Sequence, residues 1–370
     1  MTDINFLKEW NKNLSLKILP LNKISFEELF AHYSEVGFLY PEKLNKLQPH
    51  LALIKKNWEK GWSGRSDILC TLIYRDEALN KRGTFSAWKT SGNGWFSQHL
   101  TSQNHAAGLL SLLFNAQNIS IIMKYGSVQH WSSPTNEFAM NNYGNLNTIG
   151  SEHAESSLLN YLQIDPSELN PSTNLFTIQK CTNKDHSVVC KIAESFRSKI
   201  YCEAEGLDQY DIELSMLDAQ YKKCGLSRKR YIWIAIEKST CKPRGMIIAY
   251  RGPFGFNFSF LENKCDLMLD PHLTQNQRED ICRLLVYNAS QVYFDCNTSL
   301  RYPLKYMVVL TDDQSSIALE DMGAVKTRQY NQSICLEKGF NKMNEYMKKK
   351  FLPVINYLTK YELTKGNSNN

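Results

Sequence analysis

Two X-Pro steps, Asp165-Pro166 and Asn170-Pro171, lie in a polar stretch over 163–174, near the middle of the chain. Proline disfavours helix at the preceding residue and removes a backbone donor, and the polar filler around it has nothing to bury. The stretch reads as a connection that divides the 370 residues into two blocks of domain size. The same order of elements is legible on both sides. In the first block, apolar residues recur every three to four positions over 26–36 and 41–60, which predicts amphipathic helices. Strands follow at 67–75, 83–90 and 94–100, then a helix over 103–115, a strand over 119–124 and a helix starting near Pro134. The second block begins with a strand at 175–181 and helices at 184–200 and 208–222. Strands at 230–238, 244–251 and 264–269, a helix at 275–293, a strand at 304–310, a helix at 313–322 and a strand at 325–336 complete it. The expectation is an α/β (α+β) protein built from one module used twice, each a mixed, mostly antiparallel sheet flanked by helices. Its parts are 1–164, a linker 165–174, a second module 175–340, and a basic C-terminal helix and tail 341–370.

Composition narrows the class. The longest apolar runs, such as 231–236, are strand-sized and far short of a membrane span. The first residues carry acidic groups and no apolar core of a secretory leader, so a cytoplasmic location is expected. Net charge is +6, but residues 1–170 carry 15 basic against 15 acidic groups and residues 171–340 carry 22 against 20. The last thirty carry 6 against 2, so most of the excess sits in the tail and no specific nucleic-acid partner is expected. Ten cysteines form no Cys-x-x-Cys pair and no zinc spacing, which points to buried free thiols and no metal.

Chemistry is most legible after the third strand of the first block. There, 94–100 runs into Thr101-Ser-Gln-Asn-His-Ala-Ala-Gly108 and then an apolar helix. A small-residue loop at a helix N-terminus offers free N–H groups and the positive end of the dipole to a phosphate. Alternatively, it is an ordinary strand–helix turn. No P-loop or dinucleotide-binding glycine pattern is present.

The element order and this loop resemble the acetyl-CoA-dependent N-acyltransferases of the GNAT superfamily in a tandem, two-module form. The family's pyrophosphate loop, Gln/Arg-x-x-Gly-x-Gly/Ala, is matched at Gln103 and Gly108, with Ala106 where the first Gly belongs. Its Asn-x-x-Ala-x-x-Leu-Tyr segment is matched at Asn136, Ala139 and Tyr143, with Asn142 in the Leu place and Asn147 where a Gly usually follows. The second module resembles the family in its last helix and strand, with Gly323 at the expected turn. Leu319 stands in the Tyr position, however, and the loop over 270–280 has no Gly and carries Glu279 and Asp280, which would repel a pyrophosphate.

The resemblance implies an acetyl-CoA or other acyl-CoA co-substrate and an amine-bearing small molecule or peptide as acceptor. The CoA site would comprise Leu100, Gln103, Asn104, His105, Ala106, Ala107, Gly108 and Asn136. Tyr143 would protonate the leaving thiolate, and the thioester carbonyl would meet backbone N–H groups near Gln98–Leu100. His99 is the best-placed base, since an unperturbed imidazole titrates near neutrality; alternatively it is a strand residue hydrogen-bonded at a sheet edge. The alternative function is a catalytically degenerate binding or scaffold protein that uses the cleft between modules. Two other features stay open. The Gly- and Phe-rich stretch 252–260 reads as a ligand lid or a buried connection. Trp58, Trp62, Trp88, Trp95 and Trp131 read as an acceptor cleft or as core.

Overall fold

The structure, a computed structural model, describes residues 18–19, 25–63, 68–76, 81–102, 126–169, 171, 174–294, 300–343, 345–346 and 349. The first half contains β1 (Ile18–Leu19), α1 (Phe26–Glu35), α2 (Pro41–Leu47), α3 (Leu51–Ser63), β2 (Leu69–Asp76), β3 (Lys81–Lys89) and β4 (Gly94–Ser102). It continues with β5 (Ser127–Ser132), a short α4 (Glu137–Ala139) running into a π-helical turn (Met140–Gly144), and β6 (Ala154–Ile164). The second half contains β7 (Phe176–Cys181), α5 (His186–Phe196), α6 (Lys199–Glu205), α7 (Ser215–Lys222), β8 (Lys229–Glu237), β9 (Pro243–Arg251) and β10 (Lys264–Leu269). Then come α8 (Gln275–Tyr293), β11 (Met307–Thr311), α9 (Asp313–Asp321) and β12 (Val325–Cys335).

Local sequence accounts for these boundaries. Ser25 and Glu28 form a reciprocal capping box that starts α1, and Thr274 with Gln277 does the same for α8. The single helix expected over 41–60 is two, because Pro49 lies in a 3-10 turn between them and cannot donate to the preceding turn. The helix expected over 184–200 ends at Phe196, and Ser198 caps α6. The helix expected over 208–222 starts only at Ser215, where Asp211 accepts from the Ser215 and Met216 amides. β5 and β6 fall outside the sequence-based expectation, which placed a strand over 119–124; that segment lies outside the described residues.

The twelve strands among the described residues form one mixed sheet in the order β1-β2-β3-β4-β5-β12-β6-β11-β10-β9-β8-β7. Each half supplies five consecutive strands and lends its sixth to the other. β12 pairs antiparallel with β5, β6 pairs antiparallel with β11, and the two exchanged strands pair with each other. β4 with β5 and β10 with β11 are the parallel pairs. The two-module plan is therefore present, in an interlocked form.

The sheet is strongly curved. β5 and β10 are four strand spacings apart, about 19 Å on a flat sheet, yet the Lys264 ammonium lies 5.2 Å from the centre of the Trp131 ring. On this inner face, α1–α3 pack over the first half through Leu29, Tyr33, Ile54 and Trp58, and α5 and α6 over the second through Val189, Ile192, Tyr201 and Cys202. On the outer face, α8 and α9 cover the second half through Ile281, Leu285 and Leu319. Phe340 and Met343 pack the start of the C-terminal segment onto Phe85, Trp95 and Val128 of the first half.

The connection 252–260 is buried. Phe254, Phe256, Phe258 and Phe260 are all at most 3% exposed and join the first half's inner core. Trp58 Nε1 donates to the Gly255 carbonyl at 2.7 Å and Asn57 Nδ2 to that of Phe254 at 2.9 Å. Gly255 sits at φ +81°, and a Cβ there would lie 2.4 Å from Ile54, so only glycine fits. The carboxylate of Glu262 organises the loop by accepting from the Gly255 and Asn257 amides and from Asn263 Nδ2. Complete burial pushes its pKa up to about 7 despite these donors. Most of the space between the halves is thus core, and the cleft expected there is largely filled. Trp58, Trp88, Trp95 and Trp131 are likewise core residues.

Candidate active site

The parallel pairing of β4 with β5 runs from Gly94–Ser127 to Ser97–His130 and stops. Beyond it, 98–102 pairs with β3 alone, so the two strands part in a fork. At the parting, the register with β3 shifts: Thr84 opposes Thr101 and Ser86 opposes Gln98, leaving His99 and Leu100 opposite the single residue Phe85. This is a β-bulge, and His99 within it takes a left-handed conformation, φ +54°. For a non-glycine residue that costs about 1 kcal/mol. The strand is held in place by Thr84 Oγ1, which donates to the His99 carbonyl at 3.2 Å, and by a Thr84–Thr101–His32 hydroxyl–imidazole chain.

The bulge sends the His99 ring to the inner face. It lies flat on Trp58 (5.5 Å, 6°) and is boxed by Phe258 at 4.4 Å, Phe38 at 5.2 Å and Tyr33 at 5.4 Å. Neither ring nitrogen has a hydrogen-bond partner among the described residues. Burial first, and the Lys43 charge second, hold its pKa well below the usual imidazole value. The ring is neutral, packed and on an interior strand, which replaces the expected sheet-edge hydrogen bond. An imidazole so placed is a poor proton acceptor at neutral pH.

The fork itself holds a histidine that sequence reasoning missed. His130 Nδ1 and Ser97 Oγ are 3.0 Å apart, and Ser97 Oγ also reaches the Gln129 carbonyl at 3.3 Å. Burial drives the His130 pKa down to about 3, so the ring orients and hydrogen-bonds as a neutral group. Nothing in the run Ser127-Val-Gln-His-Trp-Ser132 marks it, because its contact with Ser97 depends on strand pairing and not on a motif. Leu100 is half-buried against the apolar cluster of Phe85, Trp95 and Val128.

Of the other expected residues, Asn136 is exposed, and its Oδ1 accepts from the Ala139 amide at 3.0 Å, capping α4. Tyr143 falls in the π-helical turn, which Asn331 of β12 fastens by donating to the Gly144 carbonyl. Gln103, Asn104, His105, Ala106, Ala107 and Gly108 lie outside the described residues.

The second half lacks this geometry. β10 pairs with β9 without a bulge, and its fork with β11 begins after Asp266. Arg244 pairs with Asp270 and Glu237 on the β8–β9 side of β10, and the buried Arg278 ties the Pro271 carbonyl to Gln314 and Ser315 at the start of α9. The Arg278 contacts fasten the loop after β10 and the start of α8 to the start of α9. All nine described cysteines are free. Among the described residues, one group could hold a metal: the Cys190, Glu194 and Cys202 donors of α5 and α6 lie within 4.8 Å of one another.

No family model matches the chain, and no curated protein matches it in sequence. Among solved structures, it is similar to a Drosophila protein at 11% identity, with a TM-score of 0.46 over 87% of this chain and 98% of that one. It is also similar to a tandem GNAT protein from the clavulanic acid biosynthesis pathway (9% identity, TM-score 0.38, 76% of this chain and 88% of that). A GCN5-related N-acetyltransferase from Sphaerobacter thermophilus gives 9% identity and a TM-score of 0.38 over 72% of this chain and 80% of that.

Proposed function

We propose that the first half moves an acyl group from acetyl-CoA or another acyl-CoA to an amine acceptor. The observation that carries this reading is the bulged β4–β5 fork, present in the first half and absent from the second. Past Ser97, the β5 side of β4 has no strand partner among the described residues, so main-chain groups of 98–100 can meet a thioester carbonyl. The same strand feeds the 103–108 loop, whose small residues suit a pyrophosphate. In the reaction, the neutral amine attacks the carbonyl carbon, the C–S bond breaks, and the thiolate leaves with a proton. Tyr143 supplies that proton and is reprotonated from solvent, which takes up the amine's surplus proton. The Ser97–His130 pair braces the fork.

A second reading, a catalytically degenerate binding or scaffold protein, is favoured by Ala106 in the first-glycine place and by the closed second fork. Release of free thiol from acetyl-CoA across a panel of amines separates the two. Turnover should depend on the amine and fall roughly 10²-fold in Tyr143→Phe, the lower end for loss of a general acid. An unchanged rate in that variant would remove Tyr143 from the mechanism. Among the described residues, no helix is long and apolar enough to cross a membrane.

A further inference from the structure

Two helices of the second half bring a pair of thiols and a carboxylate to one point. Cys190 and Glu194 stand one turn apart on the same face of α5. Cys202 comes from α6, whose start is fixed by Ser198 Oγ, which accepts from the Tyr201 amide at 2.9 Å and donates to Glu155 at 2.7 Å. The three donor atoms lie within 4.8 Å of one another. Cys202 is buried in the core beneath the two helices, Cys190 is half-buried and Glu194 is exposed, so the group opens to solvent through its carboxylate.

The spacing is that of ligands around an ion. Cys190 Sγ and Glu194 Oε1 are 3.7 Å apart. Around tetrahedral zinc, with Zn–S about 2.3 Å and Zn–O about 2.1 Å, a sulfur and an oxygen ligand stand about 3.6 Å apart. The charge is also that of a cation site. Beyond their burial, both thiols feel the charges of Glu194 and of Asp208, in the turn after α6. Neither carboxylate has an ion-pair partner among the described residues. Negative charge beside a thiol disfavours the thiolate that would start disulfide exchange, whereas it favours a bound cation.

We propose that Cys190, Glu194 and Cys202 bind a zinc ion that fastens α5 to α6, with a solvent water in the fourth position. Both thiols release their protons to solvent on binding. Thiolate donors select zinc over magnesium or calcium. The absence of a Cys-x-x-Cys pair hid the site from sequence reading, because its second thiol comes from the next helix. The group shares no residue with the fork and does not depend on acyl transfer.

Cobalt(II) and zinc titrations of the full, reduced chain, with thermal melting, test this. One equivalent of cobalt should give a thiolate charge-transfer band and the visible bands of a tetrahedral ion, which zinc then bleaches. Zinc should raise the melting temperature until a chelator is added. Cys190→Ser should weaken binding at least about 100-fold, the upper end of what loss of an outer-shell partner costs. Glu194→Gln, at an exposed position that bonds only Cys190 among the described residues, should weaken it about ten-fold and keep the thiolate band. Cys241→Ser, which removes an exposed thiol elsewhere, should change neither. No thiolate band at millimolar cobalt, or a band and affinity unchanged in both Cys190→Ser and Glu194→Gln, overturns the proposal. A Cys190–Cys202 disulfide that forms in air, in a chain that binds no cobalt when reduced, would make the pair a redox couple and overturn the metal assignment.

Discussion

Expressed separately, residues 1–169 and 170–370 should fail to fold, and mixed or co-expressed they should reassemble one to one. Without β12, the first piece exposes the facing edges of β5 and β6, and without β6 the second exposes β11 and β12. Unpaired central strands leave buried-type backbone groups without partners and template aggregation. The cores are divided as well. Glu205 of α6, 1% exposed, is bonded by Gln129 of β5 and Tyr250 of β9, with Lys264 3.9 Å away. Burial opposes the charge, but Lys264, Gln129, Arg230 and Tyr250 together hold its carboxyl below the usual range. Cutting the chain removes Gln129 from a buried carboxylate, and leaving such a group underpaired costs several kcal/mol. The loss should therefore approach the whole stability of the protein, on the order of 5–15 kcal/mol. Circular dichroism melts check it: a cooperative transition in either isolated piece would contradict the interlocked fold.

Trp58→Ala should be the most damaging single substitution. The indole is fully buried, stacked on His99, in edge contact with Phe26, Trp62 and Phe256, and donates to the Gly255 carbonyl. It therefore fastens the second half's connection to the first half's helix. Removing a buried Trp side chain costs about 3–5 kcal/mol, and the orphaned carbonyl adds about 1 kcal/mol. Denaturant unfolding should show a loss of roughly 4–6 kcal/mol, with Trp58→Phe, which keeps the ring packing, losing about 1–2 kcal/mol. A loss below about 1 kcal/mol in Trp58→Ala would mean the connection is held by something else.

Elements with a one-sided apolar rhythm and a clear cap were legible in the sequence: β10 and α8 fall at their expected residues, and β8, β9, α9 and β12 within one or two. β5 and β6 were not. β5 buries Ser127, Gln129 and Ser132, and the first residues of β6 are Ala-Glu-Ser-Ser, so neither shows alternation. Their partners come from the other half, and exchange between modules leaves no local mark. The strand expected over 94–100 was legible and ends within two residues of β4, but its parting from β5 was not. The direction of His99 was not, since a bulge turns a side chain to the opposite face without changing a letter. His130 escaped for the complementary reason, lying on the strand that local pattern could not find.

Calorimetric titration with acetyl-CoA tests whether the first-half fork receives an acyl-CoA, as proposed. Saturable binding of one equivalent is expected. Gly108→Asp, which sets a side chain and a negative charge against the pyrophosphate, should weaken it by at least about 100-fold. No detectable binding at millimolar acetyl-CoA would rule out an acyl-CoA site at the fork.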